Sequence, residues 1–308
     1  ATIDVDDKVL VTQHRMHDIA WVNYRFNEFG WFDGAETLYL LSEESGYSQL
    51  YTKPLNGKLT AVTQGNFVVD NVVITQDDKY FYYKANKKHP GIYEIYRVPT
   101  DSIDSEALTD LNGMTDYRLS PDESALLLTH SKLVTPPELY SLDLRIESDL
   151  PIKITSTVSD EFLSINWTSP SIVAVKSSHT EQPIYSRVYA PQGSASEKRR
   201  AVIFNHGAGY LQNSHMGWSV YFREFMFHSL LADEGYVVMD MDYRASKGYG
   251  RDWRTAIYRQ MGTPETQDLA DGVKWMAENA NVDTKAVGTY GGSYGGFMTF
   301  MAVPYTTL

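Results

Sequence analysis

The chain has 308 residues, enough for two domains and a sizeable core, and 43% of the residues are hydrophobic. Its formal net charge of −12 argues against a nucleic-acid partner, because such a partner needs basic surface patches. It contains no cysteine, which excludes disulfides and thiolate metal sites, and no apolar run reaches the length of a transmembrane helix.

The first half of the chain repeats a pattern of short strands. Each repeat opens on a predicted apolar strand, at Leu38–Leu41, Phe81–Lys84 and Leu126–Thr129. A second strand follows each of these and begins at Leu50, Ile95 and Leu139. A third, shorter strand begins at Leu59, Leu108 and Ile154. The second strands therefore start 45 and then 44 residues apart.

A period in the forties with several short strands in each unit is typical of β-propeller blades. An ordinary β-sandwich is the alternative, and it is less favoured because the elements keep register across all three units. Since a closed propeller needs roughly four to eight blades, we expect residues 1–180 to form an incomplete set of C-terminal blades. Either the propeller is incomplete here, or the chain is a piece of a longer protein.

Strands and helices alternate from residue 181 onward. Strands are predicted at Pro183–Tyr189, Ala201–Phe204 and Tyr236–Met241, and helices at Phe222–Ala232 and Pro264–Glu278. The first helix is expected to bury one face made of Phe222, Phe225, Met226 and Leu230. The second is expected to bury Leu269, Val273 and Met276. This alternation favours parallel βαβ units, so residues 181–308 are expected to form a separate domain.

The stretch most informative about chemistry is Thr289 to Met298, with Gly-x-Ser-x-Gly centred on Ser293. It follows a short strand, Ala286–Gly288, and precedes an apolar helix, Phe297–Val303; both are expected to be buried. Between a strand and a helix this motif is the nucleophile elbow of an α/β-hydrolase. A serine that merely caps a helix is the alternative. We therefore expect a partial β-propeller followed by the N-terminal half of an α/β-hydrolase domain, truncated after the elbow.

The glycines of the motif have a steric role. The strained turn lifts the serine hydroxyl out of the sheet, where a base can reach it. Gly291 and Gly295 are expected to let the strand and the helix pass close together, and Gly292 and Gly296 to relieve further crowding. The N-terminus of the following helix points backbone N–H groups toward a developing oxyanion, and the N–H of Tyr294 is the nearest of them.

A second glycine-rich turn, His206-Gly207-Ala208-Gly209, follows the predicted strand at 201–204. A turn at this place supplies the other oxyanion donor in α/β-hydrolases. His206 is not expected to be the general base, because in this fold the base follows the nucleophile. Its ring is expected to fix the turn by hydrogen bonding.

The remaining candidate residues are expected to be structural. His215 and His228 are expected at the surface or partly buried beside helices. The carboxylates expected to be solvated or locally paired are Asp240, Asp242, Asp268 and Asp271.

Several motifs together resemble the catalytic domain of the prolyl oligopeptidase family of serine peptidases. They are Gly291–Gly296, Asp242–Arg244 followed by Gly248–Gly250, and His206-Gly207. Upstream, Ser42–Tyr51 resembles a blade hairpin of the dipeptidyl-peptidase-IV-like branch, and an acylaminoacyl-peptidase-like member is also compatible. The resemblance covers nearly the whole chain in the family's order, propeller before hydrolase.

The resemblance implies roles for three residues. Ser293 matches the nucleophile, and the backbone N–H groups of Tyr294 and Gly207 match the two oxyanion donors. Some relatives use a tyrosine hydroxyl in place of the second N–H, and Ala208 departs from the second glycine of the family's turn. The paired glutamates that hold a peptide amine in the dipeptidyl branch have no match, since Glu43-Glu44 lies in a blade hairpin.

The implied activity is hydrolysis of short peptides through an acyl-enzyme on Ser293, by an oligopeptidase or by a dipeptidyl or acylaminoacyl peptidase. An esterase and a non-catalytic scaffold are the alternatives. The family's triad Asp and His follow the nucleophile, whereas all eight histidines here precede Ser293, so the 308 residues alone are expected to be inactive. No metal or cofactor is implied. The compartment stays open, as does a homodimer of the full-length protein.

Overall fold

The computed structural model describes residues 1–23, 28–146, 150–193, 196–208 and 211–303. An isolated two-stranded ribbon opens the chain, β1 (Thr2–Asp4) with β2 (Val9–Val11). The first four-stranded unit follows: β3 (Phe29–Trp31), β4 (Thr37–Ser42), β5 (Gln49–Pro54) and β6 (Thr60–Ala61). The second unit is β7 (Val69–Ile74), β8 (Tyr80–His89), β9 (Ile92–Pro99) and β10 (Glu106–Ala107). The third is β11 (Met114–Leu119), β12 (Ala125–Lys132), β13 (Thr135–Asp143) and β14 (Ile152–Lys153).

Each unit is an antiparallel meander, and one hydrogen bond recurs at the same place in all three. The N–H groups of Leu50, Ile95 and Leu139 donate to the hydroxyls of Thr63, Thr109 and Thr155, at 2.9, 3.0 and 2.9 Å. These donors open the second predicted strand of each repeat. The period read from the sequence is therefore also a structural repeat.

Consecutive units also contact each other through carboxylates that accept backbone N–H groups. The Glu28 carboxylate accepts the N–H of Val72 at 3.0 Å, and Gln76 in the next unit donates its N–H to Glu123 at 2.7 Å. The paired residues are 44 and 47 apart in the chain, which is one repeat. None of the sheets formed by the described residues closes on itself, so a complete propeller stays a prediction.

The sequence analysis missed the first strand of every unit, namely β3, β7 and β11. In β7 the reason is an irregularity. Asn71 has a left-handed backbone (φ +51°), and the pairing with β8 shifts between Asp70 and Val73. A bulge of this kind interrupts the alternation of polar and apolar residues on which strand prediction depends.

The C-terminal part is a five-stranded sheet flanked by helices. Its elements are α1 (Asp160–Ser164), β15 (Ser171–Val175), β16 (Ile184–Tyr189), β17 (Arg199–Asn205), α2 (Phe222–Asp233), β18 (Val237–Met241), α3 (Arg251–Thr255), α4 (Thr263–Asn279), β19 (Val282–Gly291) and α5 (Tyr294–Ala302). The strand order is β15-β16-β18-β17-β19, and β17 is parallel to both neighbours as the βαβ pattern predicted. This sheet begins at Ser171, whereas the proposed domain division at residues 180 and 181 stays a prediction.

The buried faces of the two long helices differ in how well they were predicted. On α4, Leu269 and Met276 are buried and Val273 packs against them, as predicted. On α2 the prediction was right for Phe225, which is buried, and for Met226, which packs against the core, but wrong for Phe222 and Leu230, which are exposed. The face of α2 toward the sheet is partly polar, formed by Phe225, His228, Ser229 and Ala232.

The expectation that Ala286–Gly288 and Phe297–Val303 are buried was met only in part. Residues Ala286 and Val287 are only half-buried, because β19 forms an edge of the sheet. On α5, Met298 is buried but Phe300 is 79% exposed. Every helix within the described parts of the chain is too short or too polar to span a bilayer.

Candidate active site

Ser293 occupies the turn between β19 and α5. Its backbone is strained, at φ +54° and ψ −122°, and the residue is exposed. A non-glycine residue rarely adopts positive φ, and such strain is concentrated at functional sites. The Ser293 hydroxyl does not cap α5, and it has no hydrogen-bond partner among the described residues. The predicted strand, turn and helix are present, and they present a serine hydroxyl to solvent.

Two glycines make this turn sterically possible. A Cβ atom on Gly295 would lie 1.9 Å from the carbonyl oxygen of Asn205, at the end of β17, and one on Gly291 would lie 2.3 Å from it. Both distances are far below van der Waals contact. Gly292, by contrast, faces open space, so the expected role for it in relieving crowding is not supported.

The N-terminus of α5 leaves one N–H group directly beside the nucleophile. Gly295 donates its N–H to the Gly292 carbonyl at 2.9 Å, and Gly296 to that of Ser293 at 3.0 Å. Tyr294 is the first residue of the helix, so its N–H has no intrahelical acceptor. Its side chain is fixed elsewhere, because the hydroxyl donates to Glu265, which in turn caps α4 by accepting the N–H of Gly262 at 2.9 Å.

The His206–Gly207 turn is fixed by three hydrogen bonds. The Nδ1 atom of His206 lies 2.9 Å from the Gly207 carbonyl oxygen, and its Nε2 atom 2.9 Å from the Ser246 hydroxyl. Tyr243 stacks on the imidazole at 4.4 Å and donates its hydroxyl to the His206 carbonyl at 2.6 Å. The predicted structural role of His206 thus has direct support. Gly209, also part of the predicted turn, lies outside the described residues.

The N–H of Gly207 does not point into an empty space. It donates to the hydroxyl of Tyr221, at 2.8 Å. Tyr221 stands directly before α2 and was not identified by sequence analysis, since nothing near it in the chain marks it as a site residue. Any oxyanion contact from this turn must therefore involve that hydroxyl or displace it.

A buried carboxylate supports the same turn from behind. Asp242 accepts the N–H groups of Asn213 and Ser214, at 2.7 and 3.0 Å, and the hydroxyl of Tyr249 at 2.6 Å. It lies 3.8 Å from Nε2 of His206. Burial lowers the pKa of His206 and raises that of Asp242, so the pair is held in an environment that disfavours charge on either partner.

Two other expectations for titratable residues were wrong. His215 and His228 are buried, not surface residues. His228 lies 2.7 Å from the hydroxyl of Tyr290 in β19, and burial lowers its pKa to about 3. Asp268 is buried as well, but it is locally paired as expected, with Arg244 at 2.9 Å.

The buried carboxyl group of Asp240, in β18, predicts how the stability of the fold depends on pH. Burial outweighs the attraction of Arg187 on β16 and raises its pKa from 3.8 to about 8. Between these values the folded state keeps a proton that the unfolded state releases, so stability falls as pH rises from about 4 to about 8. Asp240→Asn removes this dependence. Relative to wild type, its melting temperature should increase between about pH 5 and about pH 8 and then level off. Asp101→Asn, at an exposed site, is the control, and its melting temperature should differ from that of wild type by the same amount at every pH. A constant difference for Asp240→Asn as well would contradict the assignment of the pH dependence to Asp240.

A cavity of about 370 Å³ adjoins the two turns. Gly207 and Tyr294 line it beside apolar side chains, among them Leu211, Ile257 and Met261. Trp21, from the N-terminal part of the chain, also lines it. None of the described residues that line the cavity carries a charged side chain, so the cavity favours apolar ligand groups.

One residue of the acidic pair Glu43-Glu44, Glu43, has a structural role. Glu43 is bonded to Arg254 of α3 at 2.5 Å, and the neighbouring Gly46 carbonyl accepts the N–H of Arg251 at 2.7 Å. The hairpin between β4 and β5 thus docks on α3. Within the described residues, no cluster of three or more metal-binding side chains is present.

Two family models match the chain. The model of the dipeptidyl peptidase IV N-terminal region matches residues 1–137, and that of the prolyl oligopeptidase family matches residues 222–307. An uncharacterized peptidase, YuxL, of Bacillus subtilis is 26% identical over 274 residues, covering 87% of this chain and 40% of the relative. Dipeptidyl peptidase 4 of Trichophyton equinum is 25% identical over 277 residues, covering 87% and 35%.

A solved structure is also similar. The crystal structure of Porphyromonas gingivalis dipeptidyl peptidase 4 superposes with a TM-score of 0.80 at 20% identity, over 92% of this chain and 40% of that one. This likeness shows a shared fold. The chain spans about 35–40% of the length of these relatives. Taken with the motifs and the elbow, these matches support the resemblance of the chain to the prolyl oligopeptidase family of serine peptidases and to its dipeptidyl-peptidase-IV-like branch.

Proposed function

We propose that the full-length protein hydrolyses short peptides through an acyl-enzyme on Ser293. The observation that carries this proposal is the geometry of the elbow, in which an exposed serine with positive φ stands at the N-terminus of α5. The fold units of residues 1–180 are proposed to belong to a β-propeller, which restricts entry to short or flexible substrates.

In the proposed reaction, the Ser293 hydroxyl oxygen attacks the peptide carbonyl carbon while a base accepts its proton. The carbonyl oxygen becomes an oxyanion, beside the N–H of Tyr294 and the turn at Gly207. Collapse of this intermediate breaks the C–N bond as the base gives its proton to the departing amine. Water then attacks the acyl carbon while the base accepts its proton, and the C–O bond to Ser293 breaks, which releases the acid and returns the proton to the serine oxygen. Preorganised donors of this kind act mainly on the transition state and so raise kcat.

The base is proposed to come from outside the 308 residues. Two histidines that contact the turn at Gly207 or the strand β19 have other partners: His206 contacts Gly207 and Ser246, and His228 contacts Tyr290. Among the described residues no histidine contacts the Ser293 hydroxyl. A triad needs its imidazole within hydrogen-bond reach of the nucleophile.

The experiment that tests this function compares the 308-residue chain with the full-length protein. Both are assayed on a panel of aminoacyl-proline, acyl-aminoacyl and simple ester substrates. We expect peptide or acyl-amino-acid turnover by the full-length protein and none by the 308-residue chain. Preference for simple esters would favour the esterase alternative, and inactivity of both would favour a scaffold. Robust Ser293-dependent hydrolysis by the 308-residue chain would return an upstream histidine to consideration as the base.

The panel also addresses the mode of cleavage. Relatives carry the name dipeptidyl peptidase 4, and removal of dipeptides is accordingly one proposed activity. Glu43 offers no support for it, because its carboxylate is already bonded to Arg254. Blocking the substrate's amino terminus distinguishes the two modes, since a dipeptidyl peptidase requires a free amine and an acylaminoacyl peptidase requires a blocked one.

A further inference from the structure

The two tyrosines that line the cavity beside the elbow both donate their hydroxyls to protein acceptors. Tyr243 donates to the His206 carbonyl at 2.6 Å, and Tyr294 donates to the carboxylate of Glu265. Both hydroxyl protons are therefore directed to the protein and not to a ligand in the cavity. The two acceptors differ in kind, because the first is a backbone group and the second is a side chain. A substitution at Glu265 alone can therefore change what Tyr294 offers to a ligand.

The carboxylate of Glu265 is held in place by both of its oxygens. The residue is fully buried in the first turn of α4, and its other oxygen accepts the N–H of Gly262 at 2.9 Å. Gly262 has a left-handed backbone (φ +89°), and a Cβ atom on it would lie 3.1 Å from the ring of Phe297 and 3.0 Å from Met301, both in α5. The turn before α4 thus packs against the same helix that Tyr294 opens.

The proton between the two groups stays on the phenol. Burial raises the pKa of Tyr294, and the neighbouring carboxylate raises it further, so the hydroxyl remains protonated at neutral pH. Burial also raises the pKa of Glu265, whereas the hydrogen bond from Tyr294 and the charge of Arg244 lower it. A hydrogen bond to a carboxylate is stronger than one between neutral groups. Glu265 therefore holds the hydroxyl in one orientation.

We propose that Glu265 determines substrate specificity by withdrawing the Tyr294 hydroxyl from the cavity, which leaves an apolar wall for the substrate. This inference rests on the proposed peptidase function, and it places the substrate side chain next to the scissile carbonyl in the cavity beside Gly207 and Tyr294. Glu265 is a positioning residue, since it acts through Tyr294 and not on the substrate. The competing interpretation is that Glu265 only caps α4.

Glu265→Gln separates the two interpretations, because an amide has one acceptor oxygen where a carboxylate has two. The N–H of Gly262 is fixed by the backbone and competes with the Tyr294 hydroxyl for that oxygen. A buried hydroxyl without an acceptor is costly, so we expect the phenol to turn toward the cavity. A threonine side chain of the substrate then gains a hydrogen bond there, and an isosteric valine does not.

The measurement is kcat/KM of the full-length protein for two peptides, with valine or threonine at the residue whose carbonyl is attacked. An apolar pocket favours valine over threonine by about 10²-fold. Glu265→Gln should lower this ratio by about fivefold, the usual effect of one hydrogen bond. Glu278→Gln, exposed near the other end of α4, is the control and should keep the wild-type ratio.

The double variant Glu265→Gln/Tyr294→Phe gives a readout that a purely structural role does not move. It has no hydroxyl to release, so its ratio should return to that of wild type, as should the ratio of Tyr294→Phe alone. An unchanged ratio in Glu265→Gln would overturn the proposal. An equal loss of selectivity in Glu265→Gln and in the double variant would overturn it too, because it would indicate a loosened fold.

Tyr294→Phe keeps the proposal testable if Glu265→Gln folds poorly. A higher preference for valine in this variant would show that the hydroxyl already contacts substrate in wild type, which contradicts its withdrawal. A wild-type ratio near one would also overturn the proposal, since the cavity would then not select apolar side chains. Failure of the proposed function would look different: wild type would show neither peptide turnover nor Ser293-dependent labelling by a fluorophosphonate.

Discussion

Ser293→Ala in the full-length protein is expected to abolish peptide turnover, with kcat lower by about a million-fold. The mutant loses the atom that would form the acyl-enzyme, so labelling by a fluorophosphonate probe should disappear as well. Folding should be nearly unaffected. The residue is exposed, and within the described part of the chain its side chain caps nothing.

The measurement combines steady-state kinetics, probe labelling and thermal melting. Ser178→Ala is a suitable control, since it removes an exposed serine hydroxyl before β16. The control should be labelled and active like wild type. Labelling of Ser293→Ala at the wild-type rate would show that another residue is the nucleophile, and the elbow assignment would then be wrong.

The features predicted correctly from the sequence depend on neighbours in the chain. The period of the repeat was visible because each unit repeats its own pattern of strands, and the recurring bonds from Leu50, Ile95 and Leu139 confirm the repeat. The elbow was predictable for the same reason, because strand, turn and helix are contiguous. Steric demands within such a segment are visible in its residue types, as at Gly291 and Gly295.

The features that were missed depend on partners distant in the chain. His228 is buried because Tyr290, 62 residues later, contacts it on the sheet. Asp242 is buried because the loop at Asn213 and Ser214 folds over it. Tyr221 meets Gly207 only because α2 begins above the end of β17. Nothing in the local composition distinguishes such residues from surface ones, so sequence patterns placed them at the surface or passed over them.

The partly polar face of α2 is the clearest example. Helix periodicity predicted that its most apolar residues face the sheet, yet Phe222 and Leu230 point outward. The helix instead turns His228 and Ser229 inward, where Ser229 accepts the N–H of Thr168 at 2.8 Å. Specific hydrogen bonds to the sheet and to the preceding segment therefore outweigh the hydrophobic pattern on this helix.

The close approach of α5 to β17 gives a second prediction with a large expected effect, a loss of stability. Gly295→Ala should destabilise the C-terminal domain by about 3 kcal/mol or more, because the new methyl group would lie 1.9 Å from the Asn205 carbonyl oxygen. That oxygen belongs to the backbone of β17, so it cannot move aside without displacing the strand. In a domain of this size such a loss lowers the melting temperature by about 10 °C.

Gly296→Ala is the matched control, one residue further along the same helix. Its Cβ would lie 3.4 Å from the Gly291 carbonyl oxygen, which is an ordinary contact. Alanine favours helix over glycine by about 1 kcal/mol, so this variant should be as stable as wild type or slightly more stable. Thermal melting of both variants in the full-length protein tests whether Gly295→Ala lowers the melting temperature while Gly296→Ala keeps or raises it. Equal stabilities would mean that α5 does not pass so close to β17, and the steric account of the elbow would fail. Because Ser293 depends on that crossing for its exposure, Gly295→Ala should also lose fluorophosphonate labelling at temperatures where Gly296→Ala retains it.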